Sequence, residues 1–137
     1  QKNLAEDLFS IYSNGMPKFF HFQDKKLALA RSDSFLFTLI DLNVTDDWVN
    51  HFLPYWYSLA RPILLLDDFE DIEQDRLENE SNAILEFGDG AKGIKAAYEL
   101  GITDLKKLSE INPKLSEMLL SNLNRSIQYD YIRKNLS

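Results

Sequence analysis

Carboxylates recur at one-turn intervals in the acidic segment 67–78 of this chain. Asp67, Asp71, Asp75 and Glu78 fall on one face of a helix, because residues three or four positions apart lie on the same side. Carboxylates this close together repel one another, and burying each without a partner costs several kcal/mol. Mg²⁺ is a hard divalent cation that prefers oxygen ligands of this kind. The spacing therefore predicts a helix face that binds Mg²⁺.

A further acid, Asp68, completes the pattern D-D-x-x-D at residues 67–71. Metal ions held by such acids can bridge to phosphate oxygens and take up the charge that develops on a departing diphosphate. The same helix face continues toward the N-terminus as an apolar surface, which would form a dry wall beside a hydrocarbon. Its residues are Trp56, Ala60, Ile63 and Leu64. The acids and this wall are expected to face the interior of the protein.

The acidic face also has a simpler interpretation, as a charged helix surface in contact with water. Ten Asp or Glu residues lie between Arg61 and Asp89, and the only basic residues there are Arg61 and Arg76. So few local cations leave the acids without neutralising partners, which favours the metal site. An EF-hand does not fit, because its loop needs ligands at alternate positions around a central Gly.

Residues 61–75, followed by Asn79 and Asn82, resemble the aspartate-rich helix of class I isoprenoid synthases. This superfamily comprises trans-prenyltransferases, phytoene and squalene synthases and terpene cyclases. The similarity is greatest to the family's second aspartate-rich segment, in which a further Asp follows one turn later, here Asp75. The resemblance implies an all-α cavity in which Mg²⁺ holds an allylic prenyl diphosphate.

Carried over residue by residue, the resemblance makes Asp67, Asp71 and Asp75 the acids that face the metal. Asp68 joins them as a metal-site residue that orients its neighbours. Asp67 and Asp71 are the expected catalytic residues. The implied activity is that of an isoprenoid biosynthesis enzyme, either a prenyltransferase or a terpene synthase. Ionisation of the allylic diphosphate would be followed by condensation or cyclisation.

Complete family members carry two metal-binding segments on facing helices, whereas this sequence shows one. The expected fold is therefore either the C-terminal half of a terpenoid-synthase-like bundle or a reduced version of it. A homodimer or a missing N-terminal half would then supply the facing helix. A second hypothesis, from a different class, is a non-catalytic helical module that binds a lipid, an isoprenoid or a partner helix.

Diphosphate binding also requires cations, for which Lys25, Lys26, Arg31 and Arg61 are candidates. Arg31 is the first to test, because it lies among apolar residues on a predicted helix. Most Lys and Arg side chains are simply solvated, which is the alternative for each of the four. Four aromatic residues could line an isoprenoid cavity and stabilise a carbocation, although a core position is the expectation for each. They are Phe35, Phe37, Trp56 and Tyr57.

Hydrophobic periodicity predicts a single all-α domain over residues 1–137, an antiparallel bundle around the helix that carries the acids. A first helix covers residues 4–12, and a second begins after Asp24 and extends to residue 42. Thr45 caps the third helix, which Pro54 and Pro62 should kink or break.

Three further helices are predicted beyond the acidic segment. The fourth ends at Gly101, which would occupy the position just past its C-terminus. Thr103 caps a brief fifth helix. Asn112 and Pro113 form an N-cap and first-turn pair that opens a last helix through Tyr131.

The composition excludes several classes of protein. The formal net charge of −7 argues against a nucleic acid partner, which requires a basic surface. The absence of Cys excludes disulfides and thiolate zinc sites, and fits a cytoplasmic location. No apolar run approaches the roughly 20 residues that span a bilayer, so no transmembrane segment is expected.

Overall fold

A 33-residue helix runs through the protein from Asp46 to Glu78 and carries the acidic segment. A computed structural model describes residues 1–23 and 26–137, which form helices and no strand. The helices are α1 (Lys2–Tyr12), α2 (Leu27–Ala30), α3 (Asp46–Glu78), α4 (Ala83–Phe87), α5 (Gly90–Leu108), α6 (Pro113–Ser126) and α7 (Asp130–Leu136). The predicted all-α class is confirmed. In the described ranges, none of the helices combines the length and the apolar character that crossing a membrane requires.

Helix α3 begins and ends at well-formed caps. The Thr45 side chain accepts a hydrogen bond from the Trp48 amide at 3.1 Å, as its capping role predicts. At the other end Asn79 adopts the left-handed conformation, with φ 56°, and its amide donates to the Asp75 carbonyl. Both caps satisfy backbone groups that a helix terminus would otherwise leave unpaired.

The sequence predicts a kink or a break at Pro54 and Pro62, and the break is wrong, because α3 is continuous through both residues. Pro54 is exposed, so water can reach the carbonyl one turn back that lacks an amide donor. Pro62 is buried in the packing of α3 against its neighbours. An interior proline costs a helix about 3 kcal/mol, and burial of several large side chains along α3 outweighs that cost.

Two hydrophobic cores lie along α3. The N-terminal core combines Leu4 and Leu8 of α1 with Leu36 and with Val49 and Leu53 of α3. The C-terminal core packs α2, the second half of α3 and helices α4 to α7 together. Its members from α3 are Leu65, Phe69 and Ile72, which are buried as the helical periodicity predicts. Helix α3 is therefore the element that joins the two cores.

The second predicted helix is replaced by two short elements. Helix α2 passes at Arg31 into a 3-10 helix that covers Arg31–Leu39. Within it, the hydroxyls of Ser32 and Ser34 donate to the carbonyls three residues back, each at 3.0 Å. Such hydroxyls compete with regular helical hydrogen bonds. The predicted cap at Asp24 lies outside the described residues.

Two boundaries in the C-terminal half differ from the prediction. Gly101 lies inside α5, which continues to Leu108, so the separate helix predicted at Thr103 is absent. A Cβ atom at Gly101 would lie 2.8 Å from Leu123 Cδ2, so the glycine serves close helix packing and does not end the helix. The predicted last helix is interrupted at residues 127–129, between α6 and α7.

Candidate functional site

The predicted metal-binding acids line an open groove of about 410 Å³ on one side of α3. Asp67, Asp71 and Asp75 all border it, as their one-turn spacing predicts, and Glu78 continues the row. The expectation that these acids face the protein interior is wrong for Asp67, whose side chain is 68% exposed, and for Glu78, which is exposed as well. Asp71 and Asp75 are half-buried, and Leu27 and Ala28 of α2 also border the groove. The row of acids is therefore open to water at both of its ends.

Asp68 differs from the other three acids because its side chain is only 4% exposed. Its Oδ1 accepts a hydrogen bond from Arg31 Nη2 at 2.9 Å, and its Oδ2 accepts one from the Ala83 amide at 2.8 Å. Burial raises the pKa of the Asp68 carboxyl, and the bonds from Arg31 and Ala83 oppose that rise. Asp68 therefore ties the start of α4 and the Arg31 segment to α3.

Arg31 is the predicted cation that the structure brings to the acids. Its guanidinium donates to the Ala28 carbonyl at 2.6 Å and binds Asp68, and Nη2 lies 3.6 Å from Asp67 Oδ2. The side chain is 37% exposed, so the guanidinium still reaches solvent in the groove. The bonds to Ala28 and Asp68 hold it there, which limits the conformational entropy it would lose on binding an anion.

The other predicted cations have different positions. Lys26 donates to the Glu86 carbonyl at 3.3 Å, and its ammonium lies 5.0 Å from the Phe87 ring centroid. Arg61 forms two hydrogen bonds to Asp104, of 2.6 and 2.9 Å, which tie α3 to α5. Neither residue borders the acidic groove. Lys25 lies outside the described residues.

A second groove, of about 440 Å³ and almost entirely apolar, adjoins the acidic groove. The two share Arg31, which borders both. Phe35 and Trp56 form part of the apolar wall, with ring centroids 6.2 Å apart. Phe35 is 63% exposed, so the expectation that it belongs to the core is wrong. The remaining residues are Ser32, Leu59, Ala60, Ile63 and Leu64.

The other two aromatic candidates do not line this groove. Tyr57 is buried in the N-terminal core, as expected, where its hydroxyl donates to Asp33 at 2.9 Å. Phe37 is half-buried and packs edge-on against Phe9 and Tyr12. Trp56 is half-buried between the groove and that core.

Asn82 is a site residue whose role the sequence pattern does not reveal. It is buried, and its Nδ2 donates to Asp75 Oδ2 at 2.9 Å and to the Asp68 carbonyl at 2.8 Å. Its Oδ1 caps α4 by accepting from the Ile84 amide at 2.9 Å. An Asn before a short apolar run is a recognisable cap signal, but the bond to Asp75 depends on the turn that joins α3 to α4.

The acids supply the oxygen atoms that Mg²⁺ prefers, in pairs separated by one helical turn. In the part of the chain that the structure describes, no three His, Asp or Glu side chains converge to hold a metal ion. Mg²⁺ retains several waters and uses phosphate oxygens as further ligands, so one or two carboxylates suffice for each ion. The donor set thus fits Mg²⁺ carried in with a diphosphate better than Mg²⁺ bound alone.

Comparison of this chain with protein-family models, with curated proteins and with solved structures finds no match.

Proposed function

We propose that the protein binds an allylic prenyl diphosphate together with Mg²⁺ and promotes its ionisation, as an isoprenoid-synthase-like enzyme or as one half of such an enzyme. The observation that supports this proposal is the meeting of the acidic groove and the apolar groove at Arg31. A molecule with an anionic head and a hydrocarbon tail matches the two surfaces in that order.

The residues of the chain have distinct roles in this proposal. Asp67, Asp71 and Asp75 would hold Mg²⁺ on the groove side of α3. When bound, Mg²⁺ supplies a Lewis acid that stabilises negative charge on diphosphate oxygens. Arg31 contributes a guanidinium whose donors match phosphate oxygens. Asp68 holds that guanidinium in place through its bond of 2.9 Å.

The apolar groove would hold the hydrocarbon chain and keep water from it. Leu59, Ile63 and Leu64 present aliphatic surface along α3, and Phe35 and Trp56 add aromatic faces. An aromatic face attracts a cation lying over it, so the ring faces would favour positive charge that develops in the allylic chain. The groove is open on one side, so a further element, such as a second copy or another segment of a longer protein, would be needed to enclose the chain.

Isothermal titration calorimetry with Mg²⁺ and a non-hydrolysable farnesyl diphosphate analogue tests this proposal. The double variant Asp67→Asn with Asp71→Asn should weaken Mg²⁺-dependent binding at least tenfold, which is about 1.4 kcal/mol. The matched control is Glu70→Gln with Glu73→Gln, which removes the same charge from exposed positions of α3 outside the groove. Equal binding by the two double variants would contradict the proposal.

A non-catalytic module that binds a lipid or an isoprenoid is the second candidate. It is favoured by the absence of three converging acids from the described part of the chain and by the engagement of both Asp68 oxygens with Arg31 and Ala83. This candidate predicts that the farnesyl diphosphate analogue binds as tightly in EDTA as in Mg²⁺. It also predicts that the double Asp variant binds the analogue like the wild type.

A further inference from the structure

A third cavity, of about 490 Å³, lies between the end of α1, the segment 14–23 and the start of the 3-10 helix, and it shares Leu27 with the acidic groove. Its volume is in the range typical of small-molecule sites. Its walls are largely apolar and include Tyr12, Phe20 and Phe22. We call it the Asp33 cavity, after the one acid among its described lining residues.

Asp33 is a carboxyl group placed where few carboxylates occur. Its exposed fraction is 7%, and it lies at the boundary between the cavity and the N-terminal core. Two donors reach it from the protein, Tyr57 Oη at 2.9 Å and Gln23 Nε2 at 3.3 Å. Both bond to the same oxygen, Oδ1. Oδ2 accepts no hydrogen bond from the described residues.

No described Lys or Arg forms an ion pair with Asp33. Of the other buried acids in the described ranges, Asp68 and Asp104 are each bound by an arginine, and both oxygens of Asp7 accept hydrogen bonds from backbone amides. A carboxylate taken out of water without a cation is costly. Asp33 Oδ2 is therefore an acceptor to which a ligand could donate a hydrogen bond. The cavity beside it is large enough to hold the apolar part of that ligand.

From this geometry we infer that the Asp33 cavity binds a small organic ammonium compound. The ammonium group would pair with Asp33 Oδ2, and the hydrocarbon part would pack against Phe20, Phe22 and Tyr12. Aromatic walls favour a cationic ligand over a neutral one, because a cation is attracted to ring faces. The overall charge of −7 also raises the local concentration of cations. This site uses none of the residues assigned to the proposed diphosphate site and does not depend on it.

Amide NMR titration with 2-phenylethylammonium tests the inference, with 2-phenylethanol as a neutral probe of the same shape. The ammonium compound should shift the amide resonances of Gly15, Gln23 and Ala30, which line the cavity. It should bind at least tenfold more tightly than the alcohol, because a hydrogen bond to a charged partner is stronger than a neutral one. Equal affinities for the two probes would overturn the inference.

Two variants connect binding to the cavity. Asp33→Asn keeps an oxygen that can accept from Tyr57 and Gln23 and replaces Oδ2 with an amide donor, so it should abolish the preference for the ammonium compound. Ala30→Leu leaves Asp33 and its donors unchanged and fills part of the cavity, so it should weaken both probes. If Asp33→Asn does not fold, Ala30→Leu alone still tests whether the probes bind in this cavity.

Three further outcomes would overturn the inference. Shifts confined to residues of the acidic groove, such as Asp71, would show only a general attraction of cations to an acidic surface. A Lys25→Ala variant that gains affinity for the ammonium compound, when the wild type shows none, would show that the chain itself supplies the cation for Asp33. Unchanged binding of the ammonium compound by both Asp33→Asn and Ala30→Leu would also show only a general attraction of cations to an acidic surface.

Discussion

Arg31 connects a buried acid with an exposed one, and the two contacts differ in strength. Its bond to Asp68 is short, and Asp68 is almost entirely enclosed, whereas Asp67 lies 3.6 Å away and is largely exposed. An exposed ion pair contributes little, typically under about 1 kcal/mol. Loss of a cation from a buried pair is much more costly, because it leaves an uncompensated charge. The stability effect of Arg31 should therefore come mainly from Asp68.

The substitution Arg31→Ala should destabilise the protein by about 3 kcal/mol at pH 7. The loss of stability caused by Arg31→Ala should be smaller at pH 4.5 than at pH 7. Burial already raises the pKa of Asp68 above its ordinary value of 3.8, and loss of Arg31 raises it further. An acid with a raised folded-state pKa binds its proton more tightly in the folded protein, so stability is lost as the pH rises above the ordinary value. Urea unfolding at both pH values measures the effect.

The control for this prediction is Asp67→Asn, which removes only the exposed contact of Arg31. Its stability should stay within about 0.5 kcal/mol of the wild type at both pH values. A penalty for Arg31→Ala that is the same at pH 4.5 and pH 7 would show that Asp68 is not the group that Arg31 compensates. At each pH the unfolding free energy of the variant is compared with that of the wild type, so the titration of other acids cancels from the difference.

At the scale of single elements, α3 tolerates a proline that leaves one carbonyl without a helical donor. Pro54 is exposed, so Pro54→Ala removes no core packing and restores an amide for the Asn50 carbonyl. We expect stabilisation of about 1 kcal/mol, because the gain in helix propensity is partly offset by a more flexible unfolded chain. Pro113→Ala is the control, since Pro113 occupies the first turn of α6 and should show no gain. Thermal unfolding of both variants distinguishes the two positions.

Helix α5 contains two buried glycines whose surroundings predict opposite outcomes. A Cβ atom at Gly93 would lie 2.1 Å from the Gly88 carbonyl oxygen and 2.4 Å from that of Ile84, both backbone atoms that cannot rotate away. Gly93→Ala should therefore cost about 2–3 kcal/mol as α4 is pushed off α5. At Gly101 the nearest atom is the end of the Leu123 side chain, which can move. Gly101→Ala should stay within about 1 kcal/mol of the wild type, because helix propensity offsets the strain.

Chemical denaturation of the two alanine variants checks this pair. A larger loss of stability at Gly101 than at Gly93 would contradict the difference in packing between the two sites. Asn82 caps α4 and also donates a hydrogen bond to Asp75. A change in the position of α4 should therefore disturb the contact between Asn82 and Asp75. The Gly93 variant is therefore expected to weaken Mg²⁺-dependent ligand binding as well.

Local chemistry explains which helix boundaries could be predicted from the sequence. Thr45 and the pair Asn112–Pro113 act through atoms within three residues, and the structure confirms both. The roles of Gly101 and Pro62 differ from the prediction because packing against neighbouring helices decides them. A single sequence does not show which residues those neighbours contribute.

The same distinction applies to the candidate site. The shared face of Asp67, Asp71 and Asp75 follows from helical periodicity alone, and the structure places all three in one groove. The bond between Arg31 and Asp68 joins residues 37 positions apart, so no local pattern could reveal it. The exposure of Asp67 and Glu78 depends on how far the neighbouring elements extend over this face of α3, which is a property of the whole arrangement.

At the scale of the whole molecule, the apolar groove lies where the two cores meet. Among the residues that the structure describes, the N-terminal core has eight buried hydrophobic residues and the C-terminal core has fourteen, so the N-terminal part should open at lower free energy. The apolar groove uses Phe35 of the 3-10 helix, which belongs to the N-terminal part, and Leu64, which packs against the C-terminal core. A ligand that fills this groove would contact both parts.

Hydrogen exchange measured by mass spectrometry should show this coupling. Without ligand, amides of α1 should exchange faster than those of α5. Mg²⁺ with a farnesyl diphosphate analogue should slow exchange in the acidic segment and in the 3-10 helix together, because its tail lies against Phe35. Mg²⁺ with inorganic diphosphate has no tail, so its protection should be confined to the acidic segment and the residues around Arg31. If both ligands protect the 3-10 helix equally, the apolar groove does not hold the hydrocarbon chain, and the proposed orientation of the substrate is wrong.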